Sequence, residues 1–271
     1  MPMCRLIYFN LLMRALIIAV LVLVCAALVF RPEKSKAASP VHRAVLVELF
    51  TAEGCSSCPP ADALLGHLRQ DLARDGIEVI PLGFHVDYWN SLGWKDRFSS
   101  SEYTHRQEQY ELTLGLEGPY TPQMIVDGIT EFVGSNTIQA HQAIMQAATR
   151  SNTAEITILP DSSDRLLITA KLPPHSGNVE LLLAVTEDNL TTKVGAGENN
   201  GRELHHSAVV RDFTHVAEFS SETYKATVRR AIPAEWKRDN LRAVAFIQQG
   251  VNGKILCAAS VPLANAVGKP R

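Results

Sequence analysis

Residues 47–62 read VELFTAEGCSSCPPAD. An apolar run leads into a short polar turn with two cysteines, and two prolines then open an alanine- and leucine-rich stretch. Ala44 to Phe50 is continuously apolar apart from Glu48, as a buried strand requires. Ala61, Leu64, Leu65, Leu68 and Leu72 recur at helical spacing and stop near Gly76. Cys55 and Cys58 therefore lie between a strand and a helix. Two cysteines separated by two residues can close a small disulfide ring. At a helix N-terminus the first thiol meets the positive end of the dipole and free backbone N–H groups, and both stabilise thiolate. A thiolate attacks a disulfide, and the neighbouring cysteine resolves the mixed disulfide. On this chemistry Cys55 is the nucleophile and Cys58 the resolver. Proline disfavours helical angles in the residue before it, so Pro59 and Pro60 place Cys58 on a lead-in turn.

Outward from this stretch the chain alternates. Ile77 to Phe84 reads as a second strand. Ser99-x-x-Glu102 has the form of a capping box, opening a helix that ends near Gly115. Gln123–Val126 and Ile129–Val133 flank Asp127-Gly128, a strong hairpin signal. Thr137 to Arg150 is an amphipathic helix. The order is β-α-β-α-β-β-α.

That order, with the cysteine pair after the first strand, resembles the thioredoxin fold. Tyr120-Thr121-Pro122 at the start of the third strand strengthens the likeness. The resemblance implies a cis-proline at Pro122 beside the cysteines, with the Thr121 backbone pairing with a bound peptide. It also implies that Glu48, on the first strand, is a buried acid that moves a proton from the resolving cysteine. A second resemblance is broader. VELFTAEGCSSCPPAD, FHVDYWNSLGWKD, YTPQMIVDG and GENNGREL are similar to a family of exported bacterial proteins of unknown function with a thioredoxin-like domain. It runs through most of residues 44–265 and implies fold and compartment, but no activity.

At the N-terminus, Ala15 to Phe30 is sixteen residues without a charge, preceded by Arg5 and Arg14. At about 1.5 Å per residue it spans less than the roughly 30 Å hydrocarbon core. Residues 1–38 are read as a signal peptide or membrane anchor plus linker. The expected location is exported, either periplasmic or secreted, or anchored to the inner membrane. Net charge is −2 over 271 residues, and no basic stripe exists. Nucleic-acid binding is therefore not expected.

From about Thr153 short alternating segments replace helices: 155–159, 165–172, 179–185, 207–212, 223–231, 241–248 and 255–261. They suggest an antiparallel, sandwich-like domain. The expected organisation is a thioredoxin-like domain over 39–152, a β-sandwich-like domain over 153–265 and a tail, 266–271. Gly195 to Arg202 reads as a long hairpin loop that could fold over the cysteines. His205 and His206 are adjacent on a strand and point to opposite faces. Cys257 alternates with Ile255 and reads as an inert core thiol.

The functional expectation is extracytoplasmic thiol–disulfide exchange with protein or small-molecule thiols and disulfides, without a cofactor or bound metal. Cys55, Cys58, Pro122 and Glu48 carry the chemistry, and Thr121, His85, Asp87 and Trp89 contact substrate. Two alternatives stand beside it. One is an exported binding protein in which Cys55–Cys58 is a structural disulfide. The other is a copper or zinc carrier using Cys55, Cys58 and His85.

Overall fold

The computed structural model describes residues 43–150, 154–161, 164–174 and 177–264. The N-terminal apolar run, the boundary at 151–153 and the tail lie outside the described residues.

The first half follows the expected order. Strands β1 (Val45–Thr51) and β2 (Val79–His85) run parallel, in register from Val45↔Val79 to Thr51↔His85. Helix α1 (Pro59–Ala73) joins them. Helix α2 (Ser101–Leu114) starts at Ser100, whose hydroxyl accepts from the Glu102 N–H at 3.2 Å. The cap is thus one residue later than the capping-box reading, because the Ser99 hydroxyl instead donates to the Asp96 carbonyl. The helix ends at Gly115 with φ 67°, the left-handed stop that glycine makes cheap. Strands β3 (Gln123–Val126) and β4 (Thr130–Val133) form the hairpin, and Asp127 and Gly128 both take positive φ. Helix α3 (Thr137–Ala148) follows.

The second half is built of strands β5 (Glu155–Pro160), β6 (Arg165–Lys171), β7 (Val179–Glu187), β8 (Leu190–Lys193), β9 (Glu203–His206), β10 (Val209–Phe219), β11 (Thr223–Arg229), β12 (Leu241–Gln249) and β13 (Ile255–Pro262). The alternation pattern missed the short β8–β9 hairpin and cut β10 short. Its larger layer is continuous with the first half in one eight-stranded sheet, ordered β13-β12-β7-β10-β2-β1-β3-β4. The seam is a parallel bridge, Val209↔Gly83, where the Gly83 N–H reaches the Ala208 carbonyl at 2.8 Å. A three-stranded sheet, β11-β6-β5, forms a second layer.

Period-two alternation explains the packing. On β1, Val45, Val47 and Leu49 meet Leu65, Leu68 and Leu72 of α1 and Ala140, Ile144 and Ala147 of α3. Leu46 and Phe50 face the other way, into a core with Phe84, Tyr103, Tyr110 and Phe246. In the second half, Leu181, Leu183, Ala243 and Ile247 pack against Ile156, Ile158, Leu166 and Ile168 of the smaller sheet. The two halves also touch at their turns. A Cβ on Gly128 would lie 2.3 Å from the Gly253 carbonyl oxygen, so only glycine fits there. Among the described residues no helix is long and apolar enough to cross a membrane.

Candidate functional site

The turn after β1 carries the cysteines. Cys55 and Cys58 form a disulfide, with Cα atoms 5.4 Å apart. Cys58 occupies the N-cap of α1 and takes helical angles, φ −76° and ψ −37°, despite the following proline. Its carbonyl already accepts from the N–H groups of Ala61 and Asp62, at 2.9 and 3.1 Å. Proline is tolerated in the first turn because no intrahelical acceptor exists for its missing N–H.

The Thr121–Pro122 peptide bond is cis. It brings the Thr121 carbonyl oxygen within 3.8 Å of Cys55 Sγ. The Trp89 indole donates to the Thr121 hydroxyl at 2.8 Å. Ser57 Oγ lies 3.3 Å from Cys55 Sγ. The structure thus brings Cys55, Thr121, Pro122 and Trp89 together. Both half-cystines, however, are completely inaccessible, at 0 % exposure.

The half-cystines lie in the core with Ala52, Phe84 and Val86, and the glycine-rich loop between β8 and β9 is bonded to the backbone of their turn. Asn199, itself buried, donates its amide to the carbonyls of Glu53 (2.8 Å) and Cys55 (2.9 Å). Arg202 holds the Asn199 amide oxygen at 2.7 Å. The Ser56 N–H donates to the Glu198 carboxylate at 3.1 Å. Trp94 lies against Gly195 and Gly197, and its indole donates to Glu53 Oε2 at 2.7 Å. Added Cβ atoms at Gly195 and Gly197 would press on Trp94 at 3.3 Å, and Gly197 also takes φ +70°.

Beneath the turn lies a buried charge cluster that sequence reasoning did not assemble. His85 Nδ1 meets Asp96 Oδ2 at 2.7 Å. Burial disfavours the His85 cation, but the Asp96 charge and hydrogen bond outweigh it and raise the His85 pKa. The same pair lowers the Asp96 pKa against its burial. His206, from β9, lies 3.4 Å from Glu53 Oε1 and 4.0 Å from Asp62 Oδ2. Burial raises the Asp62 pKa, with His206 and His85 opposing. His205 is exposed and His206 buried, as their alternation requires. Among the described residues no group of three or more His, Cys, Asp or Glu is arranged to hold a metal ion. The Cys55, Cys58, His85 set does not form one, since the sulfurs are bonded to each other and His85 Nδ1 to Asp96.

The other expected residues have hydrogen-bond partners of their own. Asp87 accepts from the Thr104 hydroxyl at 2.6 Å and leads into the 3-10 turn Tyr88–Leu92. Glu48 is held by Arg106 at 2.6 and 3.0 Å and by the Tyr110 hydroxyl at 2.5 Å. The Arg106 guanidinium also lies about the rings of Tyr110 and Phe213, each 5.1 Å away. This partner set accounts for the Glu48 carboxylate without a cysteine. Cys257 is buried, and desolvation pushes its thiol up to about 12.

A family model described as a protein of unknown function, DUF1223, matches residues 46–248. The chain belongs to the DUF1223 family. The DUF1223 match spans the cysteine turn, the glycine-rich loop and most of the shared sheet. A crystal structure of a protein from Agrobacterium tumefaciens is 25% identical, with a TM-score of 0.66. The alignment covers 84% of this chain and 97% of that one. A domain of the outer membrane lipoprotein Omp28 from Porphyromonas gingivalis matches 41% of this chain and 88% of that one. Its 14% identity and TM-score of 0.22 are too low to bear on fold or compartment. No curated protein matches the chain.

Proposed function

We propose that this protein is an extracytoplasmic binding protein in which Cys55–Cys58 is a structural staple. The observation that supports it is the complete burial of both sulfurs, in a turn whose backbone is bonded to Glu198 and Asn199. Exchange needs a thiolate to approach a sulfur along the S–S axis, and access is part of what sets its rate. A wholly covered bond does not meet that condition in this conformation. The ring instead ties the β1–α1 turn, whose backbone carbonyls then anchor the glycine-rich loop. An oxidising compartment, where disulfides persist, agrees with the N-terminal apolar run.

The test is the reduction rate of Cys55–Cys58 in the folded protein under dithiothreitol, against the same bond in denaturant. The staple reading expects a rate far below that of the unfolded chain. Equal rates, or turnover of a disulfide substrate such as insulin, would overturn it.

One observation favours a second reading, thiol–disulfide exchange in an opened state. Cys55 Sγ lies beside the carbonyl that precedes a cis-proline, the arrangement read from the thioredoxin likeness. With the loop displaced, an incoming thiolate would attack Cys55, and Cys58 would leave as a thiolate and take a proton.

A further inference from the structure

Resting on the binding-protein reading, we propose that a groove around Arg97 and Arg211 binds a small-molecule carboxylate, a single negative charge on a compact body.

The groove lies where the loop after β2 meets β7, β8 and β10. Its cavity is about 400 Å³, within the roughly 300–1,000 Å³ typical of small-molecule sites. Three cations line it, Arg97, Arg211 and Lys237, against two carboxylates, Glu187 and Glu235. The wall therefore carries one positive charge more than it balances, which a monoanion neutralises.

The two arginines are held in place. The Arg211 guanidinium lies between two ring faces, 5.2 Å from the Phe98 centroid and 4.8 Å from that of Trp236. Buried Glu187 accepts from Arg211 Nη1 and, with its other oxygen, from the Lys237 N–H at 3.0 Å. Arg211 is thus fixed by two rings and one carboxylate. Arg97 lies over the same Phe98 ring at 4.5 Å and donates to a neutral carbonyl, that of Thr191, at 3.0 Å. Two guanidinium groups therefore share one aromatic ring.

Like charges drawn together at a partly dry surface are unfavourable without an anion. Burial lowers the Arg211 pKa, Glu187 opposes it, and Arg97 adds to it. An anion in the groove that both arginines line relieves that repulsion. Guanidinium groups match a carboxylate in two parallel hydrogen bonds, which adds direction to the attraction. A merely structural Arg211–Glu187 pair accounts for the join between β7 and β10. It does not account for Arg97 and Lys237 on the same cavity wall.

The probe is benzoate, with inorganic phosphate as the control anion. The readout is the indole N–H resonance of Trp236 in the full chain, with the resonances of Trp89 and Trp94 as internal references. Benzoate is expected to shift the Trp236 signal saturably and to leave the other two in place. Arg97→Gln is expected to weaken that binding about tenfold, the loss of one charge-assisted contact, at unchanged melting temperature. Should that variant melt early, Lys237→Gln at an exposed position carries the same expectation. The proposal is overturned by no shift at tens of millimolar benzoate, by undiminished binding in both variants, or by phosphate acting as strongly as benzoate. The binding-protein reading is judged separately by the disulfide. Fast reduction of the folded protein defeats it whatever benzoate does, and a failed benzoate titration leaves the reduction result untouched.

Discussion

Replacing Asn199 by alanine tests whether the glycine-rich loop gates access to Cys55–Cys58. The Asn199 amide makes two hydrogen bonds to the cysteine turn, to the carbonyls of Glu53 and Cys55. A net contribution of about 1 kcal/mol each makes the closed loop about 2 kcal/mol less favourable in the variant. If reduction proceeds through a loop-open state that recloses faster than it reacts, the rate follows the open population. An effect of about 2 kcal/mol raises that population roughly 30-fold. The assay is quench-labelling of thiols at a fixed dithiothreitol concentration, read by mass spectrometry. Low urea separates the routes, because loop opening exposes little surface and its rate scarcely rises, whereas global unfolding climbs steeply. A rate within about twofold of the parent, against the roughly 30-fold expected, would mean that Asn199 does not gate access.

The buried Glu48–Arg106 pair gives a stability prediction. Arg106→Ala leaves a carboxylate without its cation and is expected to cost about 3–5 kcal/mol in urea unfolding, while Arg106→Met with Glu48→Met recovers most of it. The His85–Asp96 pair gives a pH dependence. His85 has a raised folded pKa, so its contribution is complete below its ordinary 6.5 and is lost as pH rises through the folded value. Asp96 is lowered, so its contribution holds above its ordinary 3.8 and is lost as pH falls through the folded value. Asp62 is raised, and its contribution fades as pH rises through its own folded value. Urea midpoints are therefore expected to fall on the alkaline side, and less so in His85→Gln; equal slopes in the two proteins would refute the assignment. Cys257, with its thiol pushed up to about 12, is expected to resist alkylation until the protein unfolds. Rapid labelling in native buffer, read by mass spectrometry, would contradict that.

Features governed by neighbours in sequence were legible. Strand β1, the Asp127-Gly128 hairpin, the glycine stop of α2 and the opposite faces of His205 and His206 follow from rules spanning a few residues. The cysteine ring came from the local spacing, and the cis bond at Pro122 from the thioredoxin resemblance. Partners distant in sequence were not legible. Nothing around Glu48 announces that Arg106, on another element, takes its charge. Nothing in the glycine-rich loop names the Glu53 and Cys55 carbonyls as the targets of Asn199. Arg97, Arg211 and Trp236 look like ordinary surface residues until β10 brings them to one groove. The texture change near residue 153 was real, yet it reflected a switch from helices to strands, and the sheet itself runs on through it.

That continuity bears on how the molecule can be divided. Without β10, β2 would become an open border, with the Gly83 N–H facing water or another chain. Bare strand borders recruit other strands, and Phe84 next to it would lose the cover of Phe213, whose ring stands 5.3 Å away. A fragment carrying only the cysteine-bearing half is therefore a candidate for self-association. The later half serves the earlier one as a permanent edge guard.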